Sequence, residues 1–142
     1  MRVGIVGPES AKFTAKLLAP DDAVCVSGRC PLGGVDVWAE KCAAKLGREA
    51  LIFPPKNDTW SGGFKPRNIQ IAEHSDEVHV ICLASYPDSY QYERFPVCYH
   101  CAKDAARDHG RDHVKGGGCW TARHAMKLGK PAHWHIIRES AA

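Results

Sequence analysis

Apolar residues follow two patterns along the chain, short β-branched runs and stretches with a helical period of 3.6 residues. The helical pattern is clearest after Val35, where apolar residues fall on one face up to Leu46 and Gly47 provides a C-terminal cap. Weaker helical patterns lie from Ser10 to Leu18, after Pro66 and from about Cys119 to Leu128. The short runs predict strands at Arg2 to Val6, Ala23 to Val26, Ala50 to Phe53, Glu77 to Leu83 and Ala132 to Ile137.

Strands that alternate with helices at this spacing predict a parallel sheet with helices on both faces. The expected fold is therefore α/β, a Rossmann-like three-layer sandwich with a mainly parallel five-stranded sheet. One insertion interrupts the alternation of strands and helices. It spans about 85–115, contains Cys and His, and precedes the last helix. With 142 residues the chain has the size of one domain, so residues 1–142 are expected to share a single core.

Composition narrows the class of protein. Apolar residues make up 44% and charged residues 25%, as in folded globular proteins. No stretch reaches the ~18–20 apolar residues of a membrane span, and the opening MRVGIVG lacks the features of a signal peptide, so a cytoplasmic protein without a membrane partner is expected. The net charge is +3, but Lys and Arg are scattered, which argues against a nucleic-acid surface.

Two glycine clusters lie between a predicted strand and a predicted helix, at Ser27 to Gly34 and at Gly116 to Gly118. Glycine lets backbone amides approach an anion, and in parallel sheets ligands bind beyond the carboxyl ends of the strands. Tight turns are the alternative for either cluster alone. The candidate ligand-binding residues are Gly7, Ser27, Gly28, Arg29, Gly33, Gly34, Gly116, Gly117, Gly118 and Thr121.

The inserted segment carries candidate metal ligands. Zinc needs four ligands in a tetrahedron, and the motif CYHC supplies two of them from one turn. We predict a structural zinc site at Cys98, Cys101, His113 and Cys119, with His109 as the substitute for His113. The alternatives are reduced thiols without a metal and a redox pair. His133 and His135 point the same way on their strand and are expected to be polar strand-face residues rather than ligands of a second metal.

Several ordered segments resemble the SLOG superfamily, which groups DprA-like and LOG-like Rossmannoid domains, and within it the small stand-alone members related to YspA and YpsA. The matching segments are SGRCPLGGVDVWAEKCAAKLG, IFPP, RNIQIAEHSDEVHVI and GGGCWTARHAMKLGKP. The resemblance implies a site for a nucleotide or nucleotide derivative at the strand ends, and frequent homodimerisation. Arg67 and Asn68 resemble the RN motif of the family, so contact with a base or sugar is expected, although the residues alone would suggest surface positions.

The LOG-type phosphoribohydrolases of this superfamily carry a PGGxGTxxE motif whose glutamate assists cleavage. On this chain Gly117, Gly118 and Thr121 match, whereas Gly116, Trp120 and His124 replace the proline, the third glycine and the glutamate. The general acid or base of that motif therefore has no carboxylate here. Trp120 could stack on a base or anchor the core.

The expected function is binding of a nucleotide-type small molecule, as a sensor or sequestering module. A nucleotide-processing hydrolase is the alternative, with Asp36, Glu40 or His124 transferring protons. Asp36 is also a candidate ligand-binding residue. Asp36 and Glu40 are one helical turn apart near a helix start, so the pair could bind ribose hydroxyls, or it could instead form a solvated, helix-capping face. A DprA-like single-stranded DNA binder is the third possibility, and the lack of a basic aromatic surface disfavours it.

Overall fold

The computed structural model describes residues 1–6, 23–28, 35–57, 59–86, 88, 93–95, 98, 101, 113–114 and 118–137, with the backbone alone at 35–38 and 137. The predicted helix from Ser10 to Leu18 lies outside this set, as does most of the inserted segment. All five predicted strands and the other three predicted helices are within it.

The strands form one parallel sheet. They are β1 (Arg2–Val6), β2 (Val24–Ser27), β3 (Ala50–Ile52), β4 (Glu77–Leu83) and β5 (Ala132–Ile137). Their order in the sheet is β3-β2-β1-β4-β5, and every neighbouring pair is parallel. The predicted Rossmann-like α/β fold is confirmed, and the described strands are parallel throughout. β2 includes Ser27, one residue beyond the predicted end, because Ser27 pairs with Ile52 and its carbonyl accepts the amide of Phe53.

Helices cover the two faces of the sheet because successive strand residues point to opposite sides. The helix α1 (Val35–Leu46) packs on one face, and its residues Ala39 and Ala43 contact a core that includes Ile5. The helices α2 (Lys65–His74) and α3 (Gly118–Lys127) pack on the other face. None of the described helices is both long enough and apolar enough to cross a membrane.

The carboxyl ends of the strands meet at one edge of the sheet because the strands are parallel. The helices α2 and α3 follow strands β3 and β4 in the chain, so both begin at this edge. We call this edge, with the first turns of α2 and α3, the strand-end rim. It is the place where ligands bind in open parallel sheets.

A π-helical turn at Trp60–Phe64 precedes α2. The polar, glycine-containing stretch from Asn57 to Lys65 predicts a loop here instead. The amides of Gly63 and Phe64 both bond to the carbonyl of Thr59, and the Thr59 hydroxyl accepts the amide of Gly62. The turn depends on glycine because a Cβ on Gly63 would lie 1.9 Å from the carbonyl oxygen of Asn57. Hydrophobic periodicity does not report such a backbone approach, so the turn was not predicted.

The Gly63→Ala substitution is expected to lower the free energy of unfolding by about 1–3 kcal/mol, because the added methyl group must displace backbone rather than a side chain. Denaturant unfolding followed by circular dichroism measures the loss. Ser61→Ala, an exposed position of the same turn, is the control and should stay within about 0.5 kcal/mol of the parent chain. Equal midpoints for the two variants would contradict the crowding at Gly63.

Candidate functional site

The structure brings together the four ligands that the sequence predicted for a metal. Cys98, Cys101 and Cys119 are 0% exposed and His113 is 2% exposed. One ligand atom from each of these four residues lies within 4.8 Å of all the others. We call them the cysteine–histidine cluster. His109, the substitute ligand, lies outside the described residues.

The spacing of the cysteine–histidine cluster fits a tetrahedral metal ion. Zinc with bonds of about 2.3 Å to sulfur and 2.0–2.1 Å to nitrogen separates the two atoms by about 3.6 Å. The distance between Cys119 Sγ and His113 Nε2 is 3.6 Å. Cys98 and Cys101 belong to a tight turn, in which the amide of Cys101 bonds to the carbonyl of Cys98 at 3.1 Å. The cluster could therefore hold a metal ion.

Hydrogen bonds connect the three thiols of the cluster. A hydrogen bond with Cys101 raises the pKa of the Cys98 thiol, and a hydrogen bond with the same residue raises the pKa of Cys119. Hydrogen bonds from Cys119 and Cys98 lower the pKa of Cys101. These pKa shifts come mainly from hydrogen bonds among the thiols themselves, and a bound metal ion would take the place of their protons because metal ligands are thiolates.

Two further side chains, those of Cys82 and Arg123, contact cysteines of the cluster. Cys82 Sγ lies 3.6 Å from Cys119 Sγ and can donate its S–H to that sulfur. Arg123 hydrogen-bonds the thiol of Cys101 and also lowers its pKa. Three thiolates and one divalent cation leave a net charge of −1, which the guanidinium of Arg123 offsets. Such outer partners orient metal ligands and tune the centre.

The cluster is part of the core rather than an appendage. Cys98, Cys101 and Cys119 pack with Val80, Ala122 and other residues between the sheet and the helices α2 and α3. Cys119 is the second residue of α3, so the cluster joins the inserted segment to the start of this helix.

At the strand-end rim Arg67 and Asn68 are buried, not surface residues as their sequence context alone suggested. Arg67 is 8% exposed, and its Nη1 donates to the carbonyl of Gly28 at 3.0 Å. The guanidinium lies over the ring of Phe64, 5.5 Å from its centroid. A Cβ at Gly28 would lie 2.3 Å from Nη1 of Arg67, so a larger residue there would displace the guanidinium. Arg67 therefore ties the start of α2 to the end of β2.

An aromatic group stands at the same rim. Trp60 is 47% exposed, and its ring packs edge-on against Trp120 with centroids 5.1 Å apart. The ring of His124 stacks on Trp120 one turn further along α3, at 5.1 Å. The pair of tryptophans links the turn before α2 to the start of α3. Trp120 is thus a partly exposed rim residue, while Trp60 was not predicted because its segment looked like a polar loop.

The remaining ligand candidates have different environments. Ser27 is fully buried and its hydroxyl donates to the carbonyl of Ile5 at 3.0 Å, so its hydrogen is engaged within the sheet. Thr121 is 1% exposed, and its hydroxyl has no hydrogen-bond partner among the described residues. Gly118 is the first residue of α3 and is buried. Gly7, Arg29, Gly33, Gly34, Gly116 and Gly117 lie outside the described residues.

The candidates for proton transfer lie on different faces of the sheet. Glu40 is half-buried on α1, and Asp36 is described by its backbone alone in the first turn of that helix. His124 is on α3, which packs on the opposite face. Glu40 and His124 are therefore not brought together as an acid and base pair.

A second group of polar side chains lies on β4 and β5, and the sequence analysis identified only its two residues on β5. His133 and His135 point the same way on β5 as expected, and they meet Glu77 and His79 of β4. The sequence pattern that could have indicated this group is the alternation in EVH and HWH, in which each strand has a polar residue at every second position. Which strands become neighbours depends on the topology, and the signal alone could not pair them.

The described site thus has two adjoining parts, the buried cysteine–histidine cluster and the strand-end rim with its tryptophans, Arg67 and Thr121. They meet at the start of α3, where Cys119, Trp120 and Thr121 are consecutive. Comparison of the chain with protein-family models, with curated proteins and with solved structures finds no significant match to any of them.

Proposed function

We propose that the protein binds a nucleotide or nucleotide-derived anion at the strand-end rim, as a sensor or sequestering module. The domain is of the SLOG type, acts in the reducing cytoplasm as a homodimer, and is braced by a structural zinc ion in the cysteine–histidine cluster. The observation that carries the proposal is the exposed Trp60 packed against Trp120, beside the starts of two helices at the ligand-binding edge of a parallel sheet.

The rim offers both kinds of contact that a nucleotide uses. An exposed tryptophan can stack on a base, and the start of α3 offers the amides of a first helical turn and the positive end of the helix dipole to a phosphate. The buried Thr121 hydroxyl lies one turn into α3 and has no partner among the described residues, which supports a polar guest at this helix start. Arg67 adds a positive charge close to the end of β2.

Zinc is the metal that best suits the cysteine–histidine cluster. Three cysteines and one histidine form a typical structural set, and the site is closed because all four residues are buried. When bound, zinc supplies folding free energy rather than a reacting water. Since Cys119 precedes Trp120, zinc bound to Cys119 would hold the first turn of α3 in place. That turn forms one side of the proposed nucleotide site.

The binding test uses nucleoside monophosphates and inorganic phosphate as probes in calorimetric titrations. We expect saturable binding of a monophosphate, weakened by Trp60→Ala by about tenfold, because stacking of one base contributes about 1–3 kcal/mol. Leu128→Ala is the matched control, since Leu128 is also a large exposed apolar residue but lies beyond the far end of α3. Its affinity should equal that of the parent chain.

The same samples separate the alternatives. Chromatography that detects free base, lost in Asp36→Asn or Glu40→Gln, would replace the sensor proposal by a hydrolase. A mobility shift of single-stranded DNA at moderate salt, without monophosphate binding, would favour the DNA-binding alternative. Equal monophosphate affinities for the Trp60→Ala and Leu128→Ala variants would show that the ligand does not bind at the strand-end rim.

A further inference from the structure

The polar group on β4 and β5 has the composition and spacing of a metal site. It contains Glu77 and His79 of β4, with His133 and His135 of β5, and we call it the histidine–glutamate cluster. Ligand atoms of Glu77, His79 and His133 all lie within 4.8 Å of one another. His133 stands directly opposite His79 in the parallel register, so the two imidazoles share a face of the sheet.

The cluster is remote from the cysteine–histidine cluster. Its strand partners on β1 are Val3 and Ile5, which pack on the face that α1 covers, whereas the cysteine–histidine cluster belongs to the core of the opposite face. Glu77 is the first residue of β4, which places the histidine–glutamate cluster toward the amino edge of the sheet, away from the strand-end rim. The two features are thus separated by the thickness of the sheet.

The distances suit a first ligand shell. Glu77 Oε1 lies 3.1 Å from His79 Nε2, and Glu77 Oε2 lies 3.7 Å from His133 Nε2. Ligands about 2.1 Å from a tetrahedral ion are separated by about 3.4 Å, between these two values. The rings of His79 and His133 are stacked with centroids 4.8 Å apart, which turns both Nε2 atoms toward the same carboxylate.

A fourth residue fixes the orientation of the central imidazole. His135 Nε2 lies 2.8 Å from Nδ1 of His79, the nitrogen that does not face Glu77. A hydrogen bond to the second nitrogen of a ligating histidine is the usual outer partner of a metal site.

We propose that Glu77, His79 and His133 form a second site, for a divalent transition-metal ion, with His135 as a positioning residue. Two imidazoles and one carboxylate suit Zn²⁺, Co²⁺ and similar ions. The site is open, because the His133 side chain is 48% exposed while that of His79 is 10% exposed. Positions on the solvent side remain for water or for an oxygen of a small molecule. This proposal does not depend on the nucleotide-binding function.

The test is a titration of the zinc-replete protein with Co²⁺, followed by elemental analysis and visible absorption. We expect one further equivalent of metal and the weak bands of nitrogen and oxygen ligands, without the intense charge-transfer bands of cobalt bound to sulfur. Glu77→Gln and His133→Asn should each weaken Co²⁺ binding more than about tenfold, and His135→Gln by about 10–100-fold. His74→Asn, at the end of α2, is the matched control and should bind as the parent chain does.

Three results would overturn the second site. The first is no Co²⁺ bound beyond the metal already present. The second is a spectrum that contains sulfur charge-transfer bands alone, which would place the cobalt in the cysteine–histidine cluster. The third is Co²⁺ binding of the parent strength in both Glu77→Gln and His133→Asn, which would place the ion elsewhere on the surface.

Discussion

Replacing Cys98 by serine is expected to abolish zinc binding and to lower the midpoint of thermal unfolding by about 10 °C or more. Structural zinc contributes about 10 kcal/mol or more of binding free energy in small domains. Loss of even a part of that free energy is enough to lower the unfolding midpoint of a chain of this length by about 10 °C. Removal of the metal from the parent protein with a chelator should cause a similar decrease. Calorimetric scans and elemental analysis of protein purified without chelator measure both effects.

The control for Cys98→Ser is Cys25→Ser. Both cysteines are 0% exposed, but Cys25 belongs to the core on the other face of the sheet and takes no part in the cysteine–histidine cluster. Cys25→Ser measures the cost of a buried hydroxyl alone, and this variant should keep its zinc and its sensitivity to chelator. The metal assignment is wrong if parent protein carries well under one zinc per chain, or if Cys98→Ser retains the metal.

Replacing Arg67 by methionine is expected to lower the free energy of unfolding by about 2–3 kcal/mol. The buried guanidinium donates to the carbonyl of Gly28 and lies over Phe64, and a hydrogen bond that involves a charged group contributes about 1.5–3 kcal/mol. If the proposed nucleotide site is correct, affinity for a monophosphate also falls by more than tenfold. Arg67→Lys should recover little of either property, because an ammonium group cannot reproduce the planar fork.

Arg48→Met serves as the matched control for Arg67→Met. Nη1 of Arg48 also donates to a backbone carbonyl, that of Leu46 at 2.9 Å, but this pair is only partly buried and lies after α1. The control should change the unfolding free energy by less than about 1 kcal/mol and leave nucleotide affinity intact. Denaturant unfolding that shows equal losses for the two variants would mean that Arg67 does not tie α2 to the sheet as the contacts indicate.

Much of the fold follows from local patterns. The β-branched run before Gly7 and the alternation in Glu77 to Leu83 define strands, and the apolar period after Val35 defines α1, because side-chain direction in each element repeats at a fixed local interval. The cysteine–histidine cluster was also predictable. Its residues are the kinds that bind zinc, and two of them lie in one turn.

Other features depend on contacts between distant parts of the chain. Burial of Arg67 is set by the approach of α2 to Gly28, 39 residues earlier. His79 and His135 are 56 residues apart and meet only because β5 joins β4 in a particular register. Local periodicity determined which strands and helices form, and residue type and spacing indicated the ligands of the predicted zinc. The tertiary structure alone decided which side chains become neighbours across the sheet, because strand order and register are fixed by packing of the whole chain.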